Sequence, residues 1–102
     1  MRLYLDCEWN GPDGQLLSLA LVSDDGEEFY EVLPLCETPH PWVALHVLPA
    51  LRREPVGAET FRARLKDYLW KYERLDVIAD YPEDLTRFLR TLQICPNDMI
   101  YK

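Results

Sequence analysis

With 102 residues, 48% of them hydrophobic and three of them Trp, the chain has the material for one core and none for a second. A formal charge of −7 argues against affinity for long nucleic acid, which depends on many Lys and Arg contacts to phosphate, but allows a small nucleotide whose charge is met by a bound metal. No apolar run approaches the roughly 18 residues of a membrane span and no basic-then-apolar leader opens the chain, while Cys7, Cys36 and Cys95 lack disulfide or zinc-site spacing, so the expectation is a soluble, cytoplasmic protein with reduced thiols and no membrane contact.

Taken in order, Arg2 to Glu8 reads as a first strand and the Leu- and Val-rich stretch Gln15 to Val22 as a second. Between them Asn10-Gly11-Pro12-Asp13-Gly14 is dense in turn formers, which makes the pair a hairpin. Asp24-Asp25-Gly26 marks another reversal, and Glu28 to Leu33 completes an antiparallel meander. Pro34, Pro39 and Pro41 then predict a loop over 34–40 and a helix with Pro41 at its first position, ended or kinked by Pro49. Trp42, Leu45, Val47 and Leu48 are expected on its buried side. Phe61, Leu65, Tyr68, Leu69 and Tyr72 carry the stripe of an amphipathic helix. Leu75 to Ala79 reads as a buried fourth strand. Pro82 opens a last helix, with Glu83 and Asp84 in its first turn and Leu85, Phe88, Leu89 and Leu92 as its core face. Met99 to Lys102 looks like the start of a fifth strand.

A meander followed by helix, strand and helix is an α/β order. A long crossover into the fourth strand suits a parallel neighbour, and if that neighbour is the first strand, both end at one sheet edge. Ligands gather beyond the carboxyl ends of parallel strands. Here that edge carries Asp6 and Glu8, which share a face as residues i and i+2 of a strand, together with Asp80 and Asp84. Like charges so close raise a pKa unless something neutralises them, and hard divalent cations such as Mg²⁺ and Mn²⁺ are the usual remedy. The plainer alternative is a strand that runs into solvent, where acidic residues are common.

Leu3 to Glu8 with the hairpin after it, and Val77 to Leu89, resemble the first two motifs of the DEDD 3′–5′ exonucleases, which have a ribonuclease H-like fold. Including Trp42 to Pro49, the pattern is similar to that of small bacterial 3′–5′ exoribonucleases related to ribonuclease T and oligoribonuclease. The likeness spans nearly the whole chain. It implies a single ribonuclease H-like domain over 1–102, with Asp6, Glu8 and Asp84 as catalytic residues and ligands to Mg²⁺ or Mn²⁺, and Asp80 at a position often held by Asn. The implied reaction is two-metal hydrolysis of the 3′-terminal phosphodiester of RNA or short single-stranded oligonucleotides. The family's third motif, a His or Tyr with an Asp soon after it on a C-terminal helix, has no counterpart in these 102 residues. The chain is then a shortened or degraded gene product, or a variant completed by a partner chain. A catalytically incomplete domain binding a nucleotide, a metal or a protein is the competing expectation, and an open sheet edge would make it a possible homodimer.

Four residues have a substrate-binding reading and a structural one. Trp9 can stack on a terminal base or ribose, or be a core or rim residue. Trp42 and His46, at i and i+4, share a helix face and match an aromatic and a His near substrate in the oligoribonuclease-like relatives, or are structural. Asp80 supports metal or sugar binding, or caps the helix after it. Arg52, Arg53, Arg62, Arg64 and Lys66 can meet phosphate or form a solvated face.

Overall fold

The structure, a computed structural model, describes residues 1–92. The expected fifth strand at Met99 to Lys102, and Cys95, lie outside the described residues.

Three strands, β1 (Arg2–Trp9), β2 (Leu16–Ser23) and β3 (Glu28–Val32), form the meander, and β4 (Asp76–Ala79) pairs in parallel with β1, giving the order β3-β2-β1-β4. The helices are α1 (Pro41–His46), followed by a 3₁₀ turn at Leu48–Ala50, α2 (Ala58–Trp70) and α3 (Pro82–Leu92). The fold is thus α/β with a mixed four-stranded sheet.

Alternation along β1 separates two environments. Leu3, Leu5 and Cys7 are buried against Leu19, Leu21 and Phe29 of the neighbouring strands, Phe61, Leu65 and Tyr68 of α2, and Phe88 of α3. Tyr4, Asp6 and Glu8 point to the opposite face. That face is partly covered at one end, where Leu17 packs with Val43 of α1 and Val47 just beyond it. Leu17 reaches them because the β1–β2 register slips between Glu8 and Trp9: Glu8 opposes Ser18 but Trp9 opposes Leu16. Such a bulge re-aims side chains, here immediately beside the acidic pair.

Three burial expectations are corrected. In α1 the buried residue is Val43, with Val47 one turn on, while Trp42 and Leu45 are exposed and Leu48 is half-buried. A helix of six residues touches the sheet along one narrow line, and Val43 and Val47 occupy it. Strand β4 is half-buried rather than buried, because among the described residues it has a neighbour on one side only. Leu89 is exposed on α3, whose buried residues are Asp84, Arg87 and Phe88.

The chain between β3 and α1 is stitched to the β1–β2 turn by side-chain hydrogen bonds from Asn10 and Gln15. Asn10 Nδ2 donates to Glu37 Oε2 at 2.6 Å and to the Thr38 carbonyl at 3.0 Å, and Asn10 Oδ1 accepts from the His40 amide at 2.8 Å. Gln15 donates through Nε2 to the Pro34 carbonyl at 2.7 Å and accepts from the Cys36 amide at 2.8 Å. These bonds fix where α1 stands over the sheet. Gly14 makes the turn possible, since a Cβ there would lie 1.9 Å from the Asn10 carbonyl oxygen. Gly14→Ala should therefore destabilise the protein by about 2–4 kcal/mol in chemical denaturation. Gly57→Ala, at a position with open space around it, should cost well under about 1 kcal/mol and serves as the control.

Candidate active site

The parallel register sets the site. Arg2 aligns with Asp76, Leu3 with Val77, Tyr4 with Ile78 and Leu5 with Ala79, so Asp6 and Asp80 follow next on adjacent chains. The chain then turns at Tyr81 into α3, where the Asp84 amide donates to the Tyr81 carbonyl at 3.0 Å. Asp84 is buried in the first turn, and its neighbours Asp6, Glu8 and Asp80 are exposed.

Charge coupling ties these carboxylates together. Burial first, then the negative charge of Asp6, pushes the Asp84 carboxyl above the usual range; Asp80 and Glu83 add to this, and a hydrogen bond from the Cys7 amide opposes it. Glu8 is raised by partial burial, then by Asp6 and Asp84. Cys7 sits between the pair on the opposite face, and burial together with Asp84 and Asp6 pushes its thiol up to about 12. It is a protonated core residue whose Sγ lies 3.8 Å from the Asp84 carbonyl oxygen, with no thiolate to act as a nucleophile.

The donors offered are carboxylate oxygens, the set that suits Mg²⁺ and Mn²⁺, and a divalent cation would relieve the crowding that raises Glu8 and Asp84. In chemistry and charge the set fits such an ion. As the side chains lie, no three His, Cys, Asp or Glu among the described residues form a group that could hold a metal.

Two cavities open at these acids. One, of about 290 Å³, has Asp6 and Glu8 on its sheet side and Trp42 and His46 from α1 across it. Their rings pack with centroids 4.9 Å apart, tilted by 42°. The other, of about 570 Å³, shares Glu8 and Trp42 and adds Trp9 and Tyr81. Trp9 is half-buried and committed to two neighbours: Tyr81 stacks on it at 5.9 Å and the Arg87 guanidinium lies 5.0 Å from its ring centroid.

Asn10, Tyr81 and Arg87 are contributors that sequence reasoning missed. Arg87 is buried, donates from Nε to Glu83 at 2.9 Å and from Nη1 to the Gly14 carbonyl, and so joins α3 to the β1–β2 turn and holds Asp84 against β1. Its signal was its place on the helix, i+4 from Glu83 and i+3 from Asp84, the spacing of neighbours on one helical face. Of the basic residues considered for phosphate binding, Arg53 and Arg64 are taken up by Glu31. Burial alone would raise that carboxyl, and hydrogen bonds from the two guanidinium groups bring it below its ordinary value.

No protein-family model matches the chain, and no curated protein matches it. No helix among the described residues is long and apolar enough to cross a membrane.

A carboxyl whose folded pKa lies above its unfolded one destabilises the fold when ionised, and the penalty disappears as pH falls through the folded value toward the unfolded one. Asp84→Asn, which keeps an acceptor for the Cys7 amide, should therefore raise the metal-free melting temperature at pH 7. The gain should vanish near pH 4, around the unfolded carboxylate value of about 3.9. Thermal unfolding at the two pH values checks both the sign and the window.

Proposed function

We propose that this chain is a ribonuclease H-like domain of the DEDD type, a Mg²⁺- or Mn²⁺-dependent 3′–5′ exonuclease acting on the 3′ ends of RNA or short single-stranded oligonucleotides. The observation that supports this reading is the charge-coupled set Asp6, Glu8 and Asp84 at the carboxyl end of a parallel strand pair. Acids crowded there raise each other's proton affinity, an arrangement with a cost to stability and a use in binding cations.

Asp6, Glu8 and Asp84 are the residues that would hold the ion, with Asp80 in support, and the ion would supply Lewis-acid activation of the scissile phosphate. The rest is done by the chain itself. Arg87 and the Cys7 amide keep Asp84 on the β1 side of α3. Trp42 offers an exposed ring beside Glu8 on which a terminal base can stack, and the imidazole N–H of His46, lining the cavity with Asp6 and Glu8, can hydrogen-bond a phosphate or sugar oxygen. A net charge of −7 repels a long phosphate backbone, which restricts engagement to short strands and ends.

A 5′-labelled single-stranded RNA of a few nucleotides, incubated with the protein and Mn²⁺, should shorten one nucleotide at a time from its 3′ end. Asp6→Asn should slow this at least about a hundredfold. A folded protein that leaves the strand intact would overturn the exonuclease and leave a catalytically incomplete domain that binds nucleotide, metal or protein.

A further inference from the structure

A separate cavity, of about 580 Å³, lies at the opposite margin of the sheet from β4, against Val32 of the outermost strand β3. That size falls within the ~300–1,000 Å³ of small-molecule sites. Leu33, Leu35, Leu48 and Leu51 line it and are half-buried, and Pro49 and Pro55 stiffen its walls. Leucines left partly in water around one space favour an apolar occupant.

The charged lining is Arg52, Arg53 and Glu54. Arg53 donates from Nε and Nη2 to the Glu31 carboxylate at 3.1 Å, and Arg64 donates to the same carboxylate at 3.0 Å, so two guanidinium groups share one acid. With Glu54 set against the third guanidinium charge, one positive charge is left over, on a chain whose formal charge is −7. Arg52 is exposed, and its guanidinium has no hydrogen-bond or ion-pair partner among the described residues. Its backbone is also unusual. Arg52 has a φ of 51°, in the left-handed region that Gly and Asn adopt at little cost and an Arg does not. Asp13, with a φ of 58°, is of a type that tolerates it. A strained residue holding an unpaired cation at the mouth of an apolar cavity breaks a local rule with no structural gain in return, the pattern expected of a ligand site.

We infer that this cavity binds a small monoanionic amphiphile, a carboxylate on an aliphatic tail, with the tail against the leucines and the carboxylate on Arg52. A guanidinium matches a carboxylate through two parallel N–H···O bonds. The single surplus charge, with Glu54 beside it, suits one negative charge better than two. None of Asp6, Glu8 and Asp84 lines this cavity, so the site is independent of the nuclease reading.

Amide NMR titrations of the full chain at pH 7 with octanoate, 1-octanol, octylammonium and octyl phosphate, each kept below its aggregation concentration, separate the charge from the tail. Octanoate should shift the amides of Leu33, Leu35, Leu48 and residues 51–54 saturably. It should bind at least about tenfold more tightly than octanol, the difference one charge-assisted pair makes, and octylammonium should bind more weakly still. Arg52→Gly removes both the cation and the strain, so it should raise the melting temperature of the free protein while bringing octanoate down to the affinity of octanol. Arg52→Lys, which keeps the charge without the fork, should lose less. Octanol binding as tightly as octanoate, an octanoate affinity unmoved by Arg52→Gly, or shifts centred on Asp6 and Glu8 would overturn the inference. Octyl phosphate binding more tightly than octanoate would overturn the assignment of a carboxylate.

Discussion

Parallel pairing of β1 with β4 is the constraint on which the rest of the site depends. Two segments more than seventy residues apart are laid side by side in a register that aligns Leu5 with Ala79, and both chains then leave the sheet at the same edge. Asp6 and Asp80 follow the last paired residues, and the turn through Tyr81 and Pro82 brings Asp84 back toward β1 within the first turn of α3. A one-residue slip would exchange the faces of β1, placing Asp6 and Glu8 in the core and Cys7 outside it. Burial of Leu3, Leu5 and Cys7 against α2 and α3 opposes that slip, so the hydrophobic core and the acidic edge are two outcomes of one register.

Holding acids together has an electrostatic cost, and the surrounding structure is built to bear it. The Cys7 amide hydrogen-bonds the Asp84 carboxylate, and Arg87 anchors the first turns of α3 to the β1–β2 turn through Gly14 while pairing with Glu83 and stacking on Trp9. On the other side of the site, Asn10 and Gln15 clamp the 34–40 segment and thereby set α1, with Trp42 and His46, over the exposed face of the sheet. Among the described residues, the buried polar side chains Asn10, Asp84 and Arg87 thus converge on the same edge, while Ser23 and Glu31 lie on the strands away from it.

Much of this was legible in the residues. Alternation along Arg2 to Trp9, turn formers at Asn10 to Gly14 and Asp24 to Gly26, and Pro41 and Pro82 at helix starts each act locally, and the corresponding elements form within a residue or two of expectation. A parallel place for β4 beside an earlier strand also followed from the long crossover, while the choice of β1 as that neighbour was left open and comes from the structure. Burial was less legible. Trp42 and Leu45 are apolar and were expected inside, but α1 is too short to bury more than one line of side chains, and Val43 and Val47 occupy it. Leu89 lost its expected place to Asp84 and Arg87, charged residues whose burial depends on partners distant in sequence, the Cys7 backbone and the Gly14 carbonyl. Such partnerships leave no local pattern, and the same is true of Tyr81, whose role comes from Trp9.

The central claim is that Asp6, Glu8 and Asp84 form one cation-binding site, and it is tested most directly by thermal unfolding during a Mn²⁺ titration of the chain and of Asp6→Ala and Asp84→Ala. A ligand that binds only the folded state raises stability by mass action, by about 2.7 kcal/mol at a hundred times its dissociation constant. A shared site gives a saturable rise in melting temperature that either substitution abolishes. No rise at millimolar Mn²⁺, or a rise that survives both substitutions, would contradict it.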